Sequence, residues 1–127
     1  MLTGRCECGT VKFEVSKVRN AVTACHCSQC RRLSGHIWAT TVAQLGDLRF
    51  LSDKTLKWYR SSSKAKRGFC NTCGANLFWQ LNDNDEISIA AGSLDDTSGL
   101  SLTKHIFVKD KGQYYDIEKG TPQFEAF

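Results

Sequence analysis

The chain has 127 residues, with 17 Lys and Arg against 13 Asp and Glu, a formal net charge of +4, and 41% hydrophobic residues. This composition fits one domain over residues 1–127 with a single modest core, and so mild a charge, with no lysine-rich tail, argues against a nucleic-acid partner. No stretch approaches the length of a membrane span, and the opening Met-Leu-Thr-Gly-Arg-Cys is unlike a signal peptide, so a cytoplasmic protein with no membrane partner is expected.

Taken in order, the chain reads as many short strands. Val11, Phe13 and Val15 alternate with Lys12 and Glu14, the period-two pattern of a half-buried strand. Residues 21–25 predict a second strand, and Leu33-Ser34-Gly35 a turn. Residues 37–42 are rich in β-formers, and residues 48–51 and 56–60 predict two further strands. Lys64-Ala65-Lys66-Arg67 reads as a solvated basic cluster. Residues 76–81 and 86–91 predict strands on either side of the turn Asn82-Asp83-Asn84-Asp85. A final pair is expected at 105–108 and 114–117. Helix signals are weak, with short candidates at 41–45 and 94–97. Trp38, Trp58 and Trp79 lie on predicted strands and are expected in the core. The whole is all-β.

The seven cysteines fall as two, three and two: Cys6 and Cys8, then Cys25, Cys27 and Cys30, then Cys70 and Cys73. An odd number at such short spacings favours metal over a disulfide framework. Structural zinc takes four ligands in a tetrahedron, whereas catalytic zinc keeps a position open. The outer pairs, Cys6, Cys8, Cys70 and Cys73, make four and would close a structural site. That site pins a loop of about sixty residues and couples metal binding to folding. The central Cys25, Cys27 and Cys30 leave one position free. Iron–sulfur ligation is the rival for such thiolates, but nothing marks a redox partner, so two zinc ions are expected.

His26 is the residue that would close the central site. In an extended segment, however, Cys25 and Cys27 share one side and His26 points to the other, where it would pack or hydrogen-bond. The same alternation would put Cys6 and Cys8 on one side of an extended first segment. Three thiolates leave the metal net negative and a weak Lewis acid toward water. Such a site suits the binding and deprotonation of an exogenous small thiol, which then attacks a carbonyl acceptor. Arg31 and Arg67 are the candidates to hold a carboxylate of that thiol. His36 and His105 are given no role. The alternative function is a zinc-stabilised binding module with no catalysis, both sites being structural.

Gly4-Arg5-Cys6-Glu7-Cys8-Gly9, Cys25-His26-Cys27-Ser28-Gln29-Cys30-Arg31 and Cys70-Asn71-Thr72-Cys73-Gly74 resemble the glutathione-dependent formaldehyde-activating enzyme and centromere protein V family. Gly92-Ser93-Leu94-Asp95-Asp96, His105-Ile106-Phe107-Val108 and Gly120-Thr121-Pro122-Gln123-Phe124 fit the same pattern in order. The resemblance implies several small coiled antiparallel sheets around a structural zinc site, as in Rab-interacting zinc proteins and methionine-R-sulfoxide reductases. It implies structural zinc on Cys6, Cys8, Cys70 and Cys73, and a labile catalytic zinc on Cys25, Cys27 and Cys30. The implied activity is that of a carbon–sulfur lyase, condensing formaldehyde with glutathione to S-hydroxymethylglutathione.

Overall fold

The computed structural model describes residues 1–127 and is almost entirely β. Ten strands run in order: β1 (Leu2–Arg5), β2 (Lys12–Val15), β3 (Ala21–Cys25), β4 (Trp38–Gln44), β5 (Leu48–Ser52), β6 (Leu56–Tyr59), β7 (Ala65–Cys70), β8 (Asn76–Leu81), β9 (Glu86–Ala90) and β10 (Ser101–Ile106). One α-helix, α1 (Ser28–Ser34), interrupts them, and single 3-10 turns lie at Leu45–Asp47, Ala91–Ser93 and Val108–Asp110. The strands form a three-stranded sheet, β1-β2-β5, and a seven-stranded sheet, β10-β3-β4-β9-β8-β7-β6. All neighbours pair antiparallel except β10 and β3, which are parallel.

The two sheets meet through the period-two pattern of β2. Val11, Phe13 and Val15 are fully buried, while Lys12 is exposed. They join Leu77 and Phe78 of β8, Ile87 and Ile89 of β9, and Leu94 in one cluster that also contains Cys6 and Cys70. Phe13 and Phe50 both meet Phe78 edge-on, at 5.3 and 5.6 Å between ring centroids, an arrangement favoured by the ring quadrupoles. The core therefore reaches directly to one cysteine group.

Five expectations change. The turn at Leu33-Ser34-Gly35 is the end of α1, with Gly35 as its left-handed C-cap (φ 83°) donating to the Arg31 carbonyl. The helix escaped notice because its N-cap is Cys27, not a Ser, Thr, Asp or Asn, and seven residues are too few to show a helical period. The short helices expected at 41–45 and 94–97 are instead the end of β4 and a loop, each beside a 3-10 turn. Residues 65–67 belong to β7, not to a solvated cluster; Ala65 and Arg67 face inward and are buried. Residues 114–117 form no strand, since the edge of β10 is already taken: the His105 N–H donates to the Pro122 carbonyl and the Phe124 N–H to the His105 carbonyl. Trp38 is buried and Trp79 partly so, but Trp58 lies on the edge strand β6, 38% exposed, with the Lys66 ammonium over its ring.

Candidate metal centres

All seven cysteines are free, and their sulfurs gather in two groups: Cys6, Cys8, Cys70 and Cys73, and Cys25, Cys27 and Cys30. Within each group the sulfurs lie within 4.8 Å of one another.

The first group is built from two knuckles of matching design. The Cys6 N–H donates to the Val11 carbonyl and the Cys70 N–H to the Ala75 carbonyl, each five residues ahead. Gly9 (φ 82°) and Gly74 (φ 80°) follow the second cysteine of each knuckle in the left-handed region, which favours glycine. Their N–H groups return to the Cys6 and Cys70 carbonyls. Cys6 and Cys8 therefore converge through a turn, not through the alternation of an extended segment. Zinc–sulfur bonds of about 2.3 Å in a tetrahedron place sulfurs about 3.8 Å apart. Here Cys6 lies 3.7 Å from Cys8, and Cys8 lies 3.8 Å from Cys70. The four sulfurs therefore fit a closed zinc site. Burial pushes the Cys70 thiol up, but hydrogen bonds with the Thr10 and Thr55 hydroxyls, and from the Cys73 backbone, outweigh it and hold it at about 5.

The second group sits where β3 passes into α1. Cys25 ends β3 opposite Trp38 of β4, Cys27 caps the helix, and Cys30 lies on its first turn. The Cys30 N–H donates to the Cys27 sulfur at 3.3 Å. The neighbouring thiols of Cys25 and Cys30 hold the Cys27 thiol far below its ordinary range, and backbone N–H groups at the helix start act in the same direction. Cys25 and Cys27 are half-buried, and Cys30 is 2% exposed. Three soft donors in one cluster, at a helix end that favours negative charge, fit a thiophilic cation such as zinc.

His26 stands apart from this cluster and is fully buried. Its Nδ1 is hydrogen-bonded to the Tyr115 hydroxyl at 2.6 Å and its Nε2 to His105 Nδ1 at 2.8 Å. Burial lowers the His26 pKa below its ordinary value, and the nearby His105 adds to this. Burial, with Tyr114 beside it, raises the Tyr115 pKa. His36 joins the same cluster: its ring meets Tyr115, and its Nδ1 bonds the Tyr114 hydroxyl. Sequence reasoning gave His36 and His105 no part. Only chain order hinted at this cluster, because its partners come from the strand edge and the tail.

Arg31 is half-exposed in the last turn of α1, beside the cluster. Arg67 is 4% exposed: Nη2 lies 3.2 Å from Gln29 Oε1 and 3.4 Å from Cys30 Sγ, and the guanidinium stacks over Trp38. Arg67 therefore sits directly against Cys30 of this group. No helix of the structure is long and apolar enough to cross a membrane.

Residues 1–110 match the family described as glutathione-dependent formaldehyde-activating enzyme. The chain belongs to this family. A Schizosaccharomyces pombe protein described as an uncharacterized lyase is 25% identical over 123 residues, which cover 95% of this chain and 88% of that one. A crystal structure of a Rhodobacter sphaeroides protein is 34% identical and superposes with a TM-score of 0.62, covering 73% of this chain and 87% of the other. Membership of the glutathione-dependent formaldehyde-activating family and the lyase relative support a lyase-like role related to glutathione.

Proposed function

We propose that the protein is a zinc-dependent carbon–sulfur lyase acting on the adduct of a small thiol with an aldehyde. Glutathione and formaldehyde are the pair that the family's name supports. The observation that carries this reading is a cluster of three cysteines, one ligand short of a closed tetrahedron, in a chain that also gathers a full set of four. In the synthetic direction a carbon–sulfur bond forms and the thiol proton passes to the carbonyl oxygen; the reverse breaks that bond. Zinc held by Cys25, Cys27 and Cys30 would supply a Lewis acid that stabilises the substrate sulfur as thiolate. Cys27, at the helix start, and Cys30, fixed on the first turn, orient that position. Arg31 is assigned to a substrate carboxylate, since it follows Cys30 directly and is partly exposed. Cys6, Cys8, Cys70 and Cys73 hold the structural ion, within one domain over residues 1–127. Clustered free thiols support a reducing, cytoplasmic setting.

The competing reading, a binding module with both sites structural, would be favoured by His26 closing the second cluster. Both of its ring nitrogens are already hydrogen-bonded, to Tyr115 and His105. The deciding experiment is zinc per chain in protein purified without chelator, before and after a mild chelator and with glutathione. Two zincs are expected, one easily removed and responsive to glutathione. One tightly held zinc with no response to thiol would overturn the lyase reading.

A further inference from the structure

Arg67 is a buried charge without a carboxylate. The two ion pairs of the chain join Arg19 to Glu86 and Arg49 to Glu14, both at the surface. The Arg67 Nη2 meets only Gln29 and the Cys30 sulfur, and its Nε and Nη1 have no hydrogen-bond partner. A buried guanidinium is costly unless an opposite charge faces it. The cysteine cluster that it touches can supply that charge. Three thiolates and one divalent ion sum to −1, and Arg67 brings the total to zero.

The four-cysteine centre is served differently. Its sulfurs are hydrogen-bonded by the neutral hydroxyls of Thr10 and Thr55 and by the backbone N–H groups of Val11 and Cys73. Arg5, the nearby arginine, bonds the Cys6 and Glu7 carbonyls and not a sulfur. A cationic donor to sulfur is thus particular to the three-cysteine centre.

We propose that Arg67 is the counter-ion of the Cys25–Cys27–Cys30 metal centre and a positioning residue that acts through the Cys30 sulfur. Its N–H draws charge from the Cys30 sulfur and offsets the excess negative charge of the three thiolates, so that they can gather round one ion. The guanidinium lies over the Trp38 ring, 5.1 Å from its centroid. This rests on the reading that the three cysteines bind a divalent ion.

The test loads wild type, Arg67→Met, Arg67→Gln and Arg67→Lys with cobalt(II). Metal per chain, competition with a chelator, and the sulfur-to-cobalt charge-transfer band are then measured. Wild type takes two cobalt ions. The Met and Gln variants keep the four-cysteine ion, bind the second about 10- to 100-fold more weakly, and show its charge-transfer band at longer wavelength, as more electron-rich thiolates require. Arg67→Lys restores part of both effects. An unchanged affinity and band in folded neutral variants would overturn the proposal while leaving the lyase reading standing. A single cobalt in wild type would overturn both. Should the neutral variants fail to fold, the side-chain nitrogen resonances of Arg67 in wild type decide the matter. They shift as zinc fills the second site, and resonances that stay in place would overturn the proposal.

Discussion

His26 Nε2 and His105 Nδ1 stand 2.8 Å apart although the residues are 79 positions apart in the chain. The contact exists because β10 runs parallel to β3, setting His105 opposite Ala24 and Ile106 opposite Cys25. The His26 N–H also donates to the Ile106 carbonyl. The metal loop is thus anchored from behind, through the residue between two of its cysteines.

Tyr115→Phe keeps the ring and deletes the hydroxyl that serves His26 Nδ1. A buried polar atom left without its partner costs about 1–3 kcal/mol. At this chain length, that lowers the melting temperature by roughly 4–12 °C. Tyr114→Phe, whose hydroxyl bonds the exposed His36, is expected to stay within about 0.5 kcal/mol of wild type. Thermal melts of the pair check the contrast, and equal losses would deny the anchoring role of Tyr115.

Cys70→Ser removes one of four converging sulfurs at the edge of the main core. Structural zinc contributes about 10–16 kcal/mol of apparent binding free energy, as much as or more than the ~5–15 kcal/mol net stability of a typical domain. Loss of cooperative folding is expected, visible as a vanished thermal transition. Treating wild type with a strong chelator while it is heated should give the same result.

Cys27→Ser acts on the other centre. Its thiol only packs against the small Cys30–Trp38–Ala90 cluster, and it caps a helix that a serine oxygen caps equally well. The variant should keep its melting transition, fall from two zincs to one, and lose thiol-dependent turnover. Full turnover by this variant would remove the second centre from the mechanism.

Gly4→Ala probes the packing of the small sheet on the large one. A Cβ at Gly4 would lie 2.3 Å from Phe13 Cζ and 2.8 Å from the Ser93 carbonyl oxygen. Phe13 is wedged against Phe78 and cannot yield freely. A loss of about 1–3 kcal/mol is expected from overpacking, measurable by denaturant titration with both zinc stoichiometries preserved.

Much of the metal chemistry was legible in the chain itself. Chelation by knuckles is local, so the spacing of Cys6 with Cys8 and of Cys70 with Cys73 already marked two pairs able to share an ion. The alternation in β2 named its buried face for the same reason: side-chain direction in a strand follows from the backbone alone. Residue order likewise placed β3, β4, β8 and β9 within a residue or two.

What lay out of reach depends on partners distant in the chain. Helix α1 is held by one capping sulfur and a glycine, signals too short to outweigh the reading of Leu33-Ser34-Gly35 as a simple turn. Arg67 looked like part of a solvated run. Yet β7 pairs on both sides, and alternation turns Arg67 inward onto Cys30. The tail pairs with β10, where a strand at 114–117 was expected, and carries Tyr115 to His26. Spacing determined which residues can ligate. Only the tertiary structure decided which charges and hydrogen bonds surround them, because burial beside a sulfur or a ring nitrogen comes from strands that meet across the fold.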